Sequence, residues 1–348
     1  MKEKERIIIV GAGLAGICLA YQLSKRHVPV TIIDKGKNWS SKIAAGLITP
    51  LVFRRMTKSW MVDDVMEYLI PFYTQLEEET SSKLLIPLNI RRLFSSEQER
   101  GYWLKKQEQN EFKPYMHSIN KDDETYNLAK NPYGSARVKS AYCVDVATFF
   151  KKMEAWLKSN ANFLRQDFDY TKIEADNYKG ITYSKIIFCE GFEVRNNPFF
   201  KELPVDPTKG QTLKVEMEGI PEHESLNRKC FILPLGKQQF RIGATYEWHN
   251  ISTNTTDEAR EELLRNLKYI TDIEPKIITQ EAGVRPTVKD RRPIMGQHKS
   301  EKKLYIFNGL GAKGYMLVPL LGKQFCDYLL NHAPLNPELN IQRFYLKQ

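Results

Sequence analysis

Four short apolar runs stand out along the chain, each stopping at a glycine or an acid. IIIV at 7–10 meets Gly11, and VPVTII at 28–33 meets Asp34. YSKIIF at 183–188 runs into Cys189, Glu190 and Gly191, and LYIF at 304–307 leads to Gly309. Runs of this length and continuity predict strands buried on both faces, as in a parallel sheet. Between the first two, LAGICLAYQLSKR predicts an amphipathic helix. Elsewhere the pattern alternates. QTLKVEME at 211–218 and QQFRIGATY at 238–246 predict strands of a half-exposed sheet, while WMVDDVMEYLIPFYTQLEEE and DEAREELLRNLKYI predict helices whose role is packing. No repeat or low-complexity linker interrupts the series.

The first strand–helix–strand unit carries a spacing with chemical meaning. Gly11 serves the tight turn, Gly13 lacks the Cβ that would hold a pyrophosphate away from the backbone, and Gly16 lets helix and strand approach closely. A helix beginning near Leu14 aims free N–H groups and its positive dipole end at phosphate oxygens. Asp34, 18 residues after Gly16, is near the offset of about 20 expected for an acid that accepts from ribose hydroxyls. Gly11, Ala12, Gly13, Leu14, Ala15, Gly16, Asp34 and Lys35 are therefore candidate dinucleotide-binding residues. A βαβ turn without ligand stays open from these residues alone.

Composition narrows the chemistry. With 348 residues, 42% hydrophobic and 27% charged, the chain has the make-up of a soluble protein large enough for two domains. The charged N-terminus MKEKER and the lack of a long apolar run predict a cytoplasmic protein with no integral membrane segment. Five cysteines without a CxxC pair and six scattered histidines without HExxH predict neither disulfides nor a metal site, and no serine lies in GxSxG. The chemistry is expected to belong to a cofactor. A net charge of +10 suits an anionic substrate, a nucleic acid or an acidic surface; the short basic runs at 91–92, 105–106, 151–152 and 291–292 are expected mostly to be solvated.

After Asp34 the chain departs from a nicotinamide-type domain and runs into KGKNWSSKIAAGLITP. Ala44, Ala45 and Gly46 offer almost no side chain, which suits backbone lying against a flat isoalloxazine ring, with Leu47 next to them as a further candidate; a small-residue packing contact is the alternative. Two later crossings, at Cys189–Gly191 and at GLGAKG with Gly309, Gly311, Ala312, Lys313, Gly314 and Tyr315, converge on the same nucleotide. The last aims a second helix N-terminus, with Lys313 beside it, at a site favouring negative charge.

These motifs together resemble the D-amino-acid oxidase and glycine oxidase superfamily of FAD-dependent oxidoreductases. GAGLAG with its acid, AAGLITP, SAYCVDVATFF at 140–150, FCEG in place of A-T-G, KGQ at 209–211, ILPLGKQQFRIGATYE, AGVRPTVKDRRPIMG and GLGAKGYMLVP follow in the family's order over most of the chain. The resemblance implies an α/β fold: a doubly wound, Rossmann-like FAD domain (1–82, 142–200 and 284–348) interrupted by a mostly antiparallel α+β substrate domain (83–141 and 201–283). It adds Phe168 to the cofactor-binding set. It implies noncovalent FAD, because PTVKDRRP stands where sarcosine oxidases carry the cysteine that tethers flavin.

The implied activity is oxidation of the C–N bond of a small amino acid or N-substituted glycine, with hydride passing from Cα to flavin N5 and electrons going on to oxygen or another carrier. Arg285 of GVRP matches the arginine that holds the substrate carboxylate; a salt bridge to Asp290 or Glu281 is its structural alternative. Tyr246 is expected to line the pocket, or else to be a core tyrosine, and Arg241 aligns loosely with a lysine that activates oxygen in sarcosine oxidases. Phe231 and Ala312 replace a tyrosine and an arginine of glycine oxidases. The same motifs are similar to the flavin domain of a bifunctional enzyme that removes a carboxymethyl group from a tRNA wobble uridine, so tRNA is the alternative partner. A flavin-binding module without turnover is a third reading.

Overall fold

The computed structural model describes residues 5–37 and 40–345; Asn38 and Trp39, within the loop expected after Asp34, lie outside the described residues. Its first sheet has six strands in the order Asn162–Leu164, Val30–Ile33, Ile7–Val10, Lys185–Phe188, Leu304–Asn308 and Ile294–Gln297. The first five are parallel and the last is antiparallel. Every residue of Ile7–Val10 and Leu304–Asn308 is buried, as their unbroken apolar runs require. Val10 is level with Ile33 on one side and Phe188 on the other, so the turns at Gly11, Asp34 and Cys189 open on one edge. That edge, at the carboxyl ends of parallel strands, is where open α/β sheets bind ligands.

The helix Leu14–Ser24 departs from the amphipathic expectation, being buried from Leu14 to Leu23. Helices Val146–Asn160 and Gly314–Asn331 pack against it, so little of its surface remains for solvent. Asp145 caps the former by accepting from the Thr148 N–H at 3.0 Å. The strand expected from 183 spans Lys185–Phe188, and after the crossing Gly191–Asn196 continues as a 3₁₀ turn.

A second sheet of seven strands runs Lys276–Val288, Val205–Glu216, Gln239–Gly243, Cys230–Gly236, Ser225–Arg228, Ile90–Leu93 and Ser135–Val138. All its pairings are antiparallel except that of Ser225–Arg228 with Ile90–Leu93. The strand Lys276–Val288 is continuous across 283 and 284, placing Arg285 opposite Thr208 and Gly283 opposite Gly210. A Cβ on Gly283 would lie 3.3 Å from the Ser40 Cα, so here the second sheet reaches the loop that follows the second strand of the first.

Two of the arginines expected at the surface are buried. Arg91 and Arg92 are each 7% exposed. Arg91 bonds to Asp123 at 2.8 Å and Glu224 at 2.9 Å, and Arg92 to Glu99 at 2.7 Å. They lie on a strand with neighbours on both sides, and buried guanidinium groups are tolerated there because acids and further hydrogen bonds meet them. All five cysteines are free thiols. Among the described residues no helix is long and apolar enough to cross a membrane, and no cluster of three acids, histidines or cysteines could hold a metal.

The glycine turn is held by backbone contact. A Cβ on Gly16 would sit 1.9 Å from the Gly11 carbonyl oxygen, and one on Gly11, at φ +102°, would sit 2.5 Å from the Cys189 carbonyl oxygen. Neither obstacle can rotate away. Gly16→Ala is therefore expected to lose more than the ~1–3 kcal/mol typical of overpacking, read as a lowered midpoint in chemical denaturation. A midpoint equal to that of the parent protein would show that the helix can stand further from the strand.

Candidate active site

A single cleft of about 1130 Å³ follows the open edge of the parallel sheet and extends onto the face of the seven-stranded sheet. It brings together Gly11, Gly13, Leu14, Ala15, Asp34, Lys35, residues 44–47, Phe168, Cys189, Gly191, residues 311–315, Tyr246 and Arg285. Ala12, Gly16, Gly309 and Arg241 are not among the described residues lining it. Each of these four supports a wall. Ala12 donates its N–H to Asp34, Gly16 packs on Gly11, and a Cβ on Gly309 would press on Val288 at 2.7 Å.

Asp34 is more heavily engaged than a ribose acceptor needs to be. It accepts from the Ala12 N–H at 2.7 Å, the Gly36 N–H at 2.8 Å and Arg165 Nη1 at 2.6 Å. An ionised carboxylate has about four acceptor positions, so one is left for a ligand hydroxyl. The acid thus shapes the turn as well as facing the cleft. Nearby, Lys35 Nζ is 3.7 Å from Glu193, and Phe168 stacks on Tyr178 with ring centres 4.4 Å apart. Glu190 accepts from Tyr170 and Asn197, and burial pushes its carboxyl up to about 7. Burial also raises the Cys189 thiol well above its usual value, keeping it protonated and unreactive.

At the N-terminus of the buried helix, the Leu14 N–H meets Ser41 Oγ at 3.2 Å. A Cβ on Gly13 would meet nothing nearer than that same oxygen, at 3.6 Å, so the position opens into the cleft. Ser41 also accepts, through its carbonyl, from the Tyr315 hydroxyl at 2.8 Å. Gly46 is at φ +73°, and a Cβ there would lie 2.2 Å from the Val144 carbonyl oxygen. The small residues at 44–46 are thus set by contact with the strand Tyr142–Val144 on one side and the cleft on the other. Arg241 clamps this segment, donating to the carbonyls of Ile43 at 2.9 Å and Ala44 at 3.3 Å while pairing with Glu281 at 3.3 Å.

Lys313 has an unusual setting. Its ammonium donates to the Thr49 carbonyl at 3.0 Å and Ser59 Oγ at 2.6 Å, with no acid beside it among the described residues, and burial lowers it to about 8. It stands at the N-terminus of Gly314–Asn331, where the helix dipole adds positive potential. A second strongly positive point is Arg285. Its guanidinium lies against Gly210, where a Cβ would come within 2.1 Å of Nη2. It stacks over the Tyr246 ring, 4.5 Å from the centre, and donates to the Thr245 carbonyl at 3.3 Å. The salt-bridge alternative does not hold, because Asp290 pairs with Arg343 and Glu281 with Arg241. Burial pulls the Arg285 pKa down from its ordinary value, opposed by the Tyr246 side chain and by no carboxylate among the described residues.

The cleft suits FAD on its own features: a helix N-terminus with open space at Gly13, a nearly side-chain-free wall at 44–46, and a buried cation without an acid at 313. Several contributors escaped the sequence reading. Gly210 lies in the quoted KGQ, yet its service to Arg285 depends on a cross-strand neighbour. Arg165 and Ser41 carry no motif, and only folding brings them to Asp34 and Leu14.

Three relatives illustrate the likeness. The chain is 22% identical over 363 residues to the tRNA 5-methylaminomethyl-2-thiouridine biosynthesis bifunctional protein of Marinobacter nauticus, covering 96% of this chain and 57% of that protein. It is 22% identical over 364 residues to glycine oxidase of Pseudomonas aeruginosa, covering 95% and 96%. The structure of iminodiacetate oxidase from Chelativorans sp. BNC1 superposes with a TM-score of 0.79 at 19% identity, over 96% of this chain and 98% of that one. The family model described as FAD dependent oxidoreductase (DAO) matches residues 6–328, nearly the whole of both sheets and the cleft between them. The chain belongs to this family of FAD-dependent oxidoreductases.

Proposed function

We propose that the protein oxidises the C–N bond of a small amino acid or N-substituted glycine, with noncovalent FAD in the cleft, and that residues 1–82, 142–200 and 284–348 form the cofactor-binding part. One observation carries the reading: Arg285 is a half-buried guanidinium in the cleft wall that lacks an acid among the described residues. A substrate carboxylate would supply the missing charge through two parallel hydrogen bonds, fixing the rest of the molecule in orientation as well as place. Gly210 leaves room for the planar group, and the Tyr246 ring holds its face. Bound FAD supplies the two-electron acceptor. Arg241 acts through the 43–44 carbonyls, as a positioning residue for the wall of small side chains.

Arg285→Ala is expected to weaken substrate binding by about 1.5–3 kcal/mol, roughly a ten- to hundredfold rise in KM, because a charge-assisted pair is lost. FAD should be retained, as judged by visible absorbance. An unchanged KM would remove Arg285 from the substrate site.

Lys313 gives a second test, in the ligand-free protein. Its folded pKa of about 8 is below the unfolded lysine value of about 10.4, so the penalty for burying its charge is fully present below 8 and relieved as pH rises between the two. Stability should rise over this window by up to about 3 kcal/mol relative to Lys313→Met, measured by denaturation at each pH. Parallel curves for the two proteins would mean that the amine is not held charged and buried.

A second reading is favoured by the relation to the tRNA-modifying protein over 96% of this chain, together with a net charge of +10. In that reading the carboxymethylamino group of a modified tRNA base occupies the Arg285 site. Binding to tRNA should then weaken steeply with salt, with a log–log slope of about −0.7 to −0.9 per phosphate contacted. Turnover of free sarcosine that ignores both salt and added tRNA would favour the small-molecule substrate.

A further inference from the structure

We propose that Tyr246 and Trp248 form a stacking platform for a flat aromatic or heteroaromatic group on the amino-acid substrate whose carboxylate Arg285 holds. This rests on the reaction proposed above and narrows its substrate class. Tyr246 and Trp248 are 53% and 60% exposed, the two largest values among the described large hydrophobic side chains. Leaving rings of this size in water forgoes burial of a kind that dominates core and interface energetics.

Their exposure does not come from a slack loop. The residue between them, Glu247, exchanges two backbone hydrogen bonds with Lys209, at 2.8 and 2.9 Å. Thr245 is fixed as well, its N–H donating to the Gln211 carbonyl at 3.2 Å and its hydroxyl accepting from the Gln211 N–H at 2.9 Å. Lys209 itself is fully buried, with Nζ donating to Ser252 Oγ at 3.2 Å, so the turn is anchored on its far side too. Tyr246 and Trp248 flank the pinned residue, Glu247. Their rings are near-parallel, 28° apart in plane and 6.3 Å between centres.

The pair adjoins the reaction site through Tyr246, with Trp248 beyond the described residues that line the cleft. Tyr246 lines the cleft and is the ring over which the Arg285 guanidinium lies, at 4.5 Å. Phe231 adds an apolar wall, its ring packed so closely on Gly243 that a Cβ there would lie 2.8 Å away. A carboxylate on Arg285 therefore starts within one ring's width of an aromatic surface. A substituent joined through one methylene, on nitrogen or on the α-carbon, would lay its ring along that surface, and neither free glycine nor sarcosine would use it.

The test uses the FAD-loaded protein. Phenylacetate and acetate are titrated while the flavin absorption band is followed, in the parent protein, Trp248→Ala and Trp248→Phe. Trp248 is exposed, so both variants are expected to fold. The preference for phenylacetate over acetate should fall about three- to tenfold in Trp248→Ala and be largely kept in Trp248→Phe, the range set by aromatic pairing. An unchanged preference in Trp248→Ala would overturn the platform.

Anaerobic reduction by sarcosine, N-benzylglycine and the two phenylalanine enantiomers completes the test. Faster reduction by N-benzylglycine or by a phenylalanine than by sarcosine supports the platform and shows which atom carries the ring. Reduction by sarcosine alone overturns the platform and leaves the reaction standing. No reduction by any of the four, with FAD bound, removes the reaction and the platform with it.

Discussion

A guanidinium kept partly from water, with no acid among the described residues to balance it, is the constraint on which the rest of this site depends. Arg285 sits on the strand Lys276–Val288, opposite Thr208 and beside Gly210 of its partner strand, where any Cβ at 210 would displace the guanidinium. Its hydrogen bond to the Thr245 carbonyl and the ring of Tyr246 hold the fork in one orientation. Nearby acids exist but are already engaged: Glu281 with Arg241, Asp290 with Arg343. The charge is thus left without a carboxylate among the described residues, and a long antiparallel pairing keeps it in position.

The same logic holds along the cleft. Lys313 is buried with neutral partners only, whereas two buried arginines of the second sheet, Arg91 and Arg92, are each met by acids. Arg91 and Arg92 are paired with acids, whereas Arg285 and Lys313, which face the cleft, have none beside them among the described residues. Burying a charge without a partner costs stability, so these two positions mark where stability is set against ligand affinity. Glu190, lifted to about 7 by burial, is a third group of this kind, although Tyr170 and Asn197 satisfy it by hydrogen bonding.

Much of the architecture was legible because it is written in local pattern. The unbroken runs at 7–10 and 304–307 became central buried strands, and the glycines at 11 and 16 stand where close approach of backbones demands them. What escaped depends on neighbours distant in sequence. The helix Leu14–Ser24 is buried almost all round because two helices more than 100 residues further on cover it, which no window of periodicity can register. Arg91 and Arg92 look like a surface pair until Glu224 and Glu99 are brought to them. Asp34 was found as an acid at the right offset, but Arg165, which takes up one of its oxygens, lies 131 residues away.

The positions where this chain departs from glycine oxidases follow one direction. Phe231 has no hydroxyl and Ala312 no charge, so the cleft lacks two polar groups that the family resemblance implied. Removing polar groups from a site weakens its grip on a substrate with nothing but a carboxylate and an amine, because the remaining contacts are few. It favours one whose other end is apolar, since each CH₂-sized group then buried contributes about 0.8 kcal/mol. In the proposed reaction Arg285 would hold the carboxylate, while the rings of Phe231 and Tyr246 in the same cleft would favour an apolar substituent.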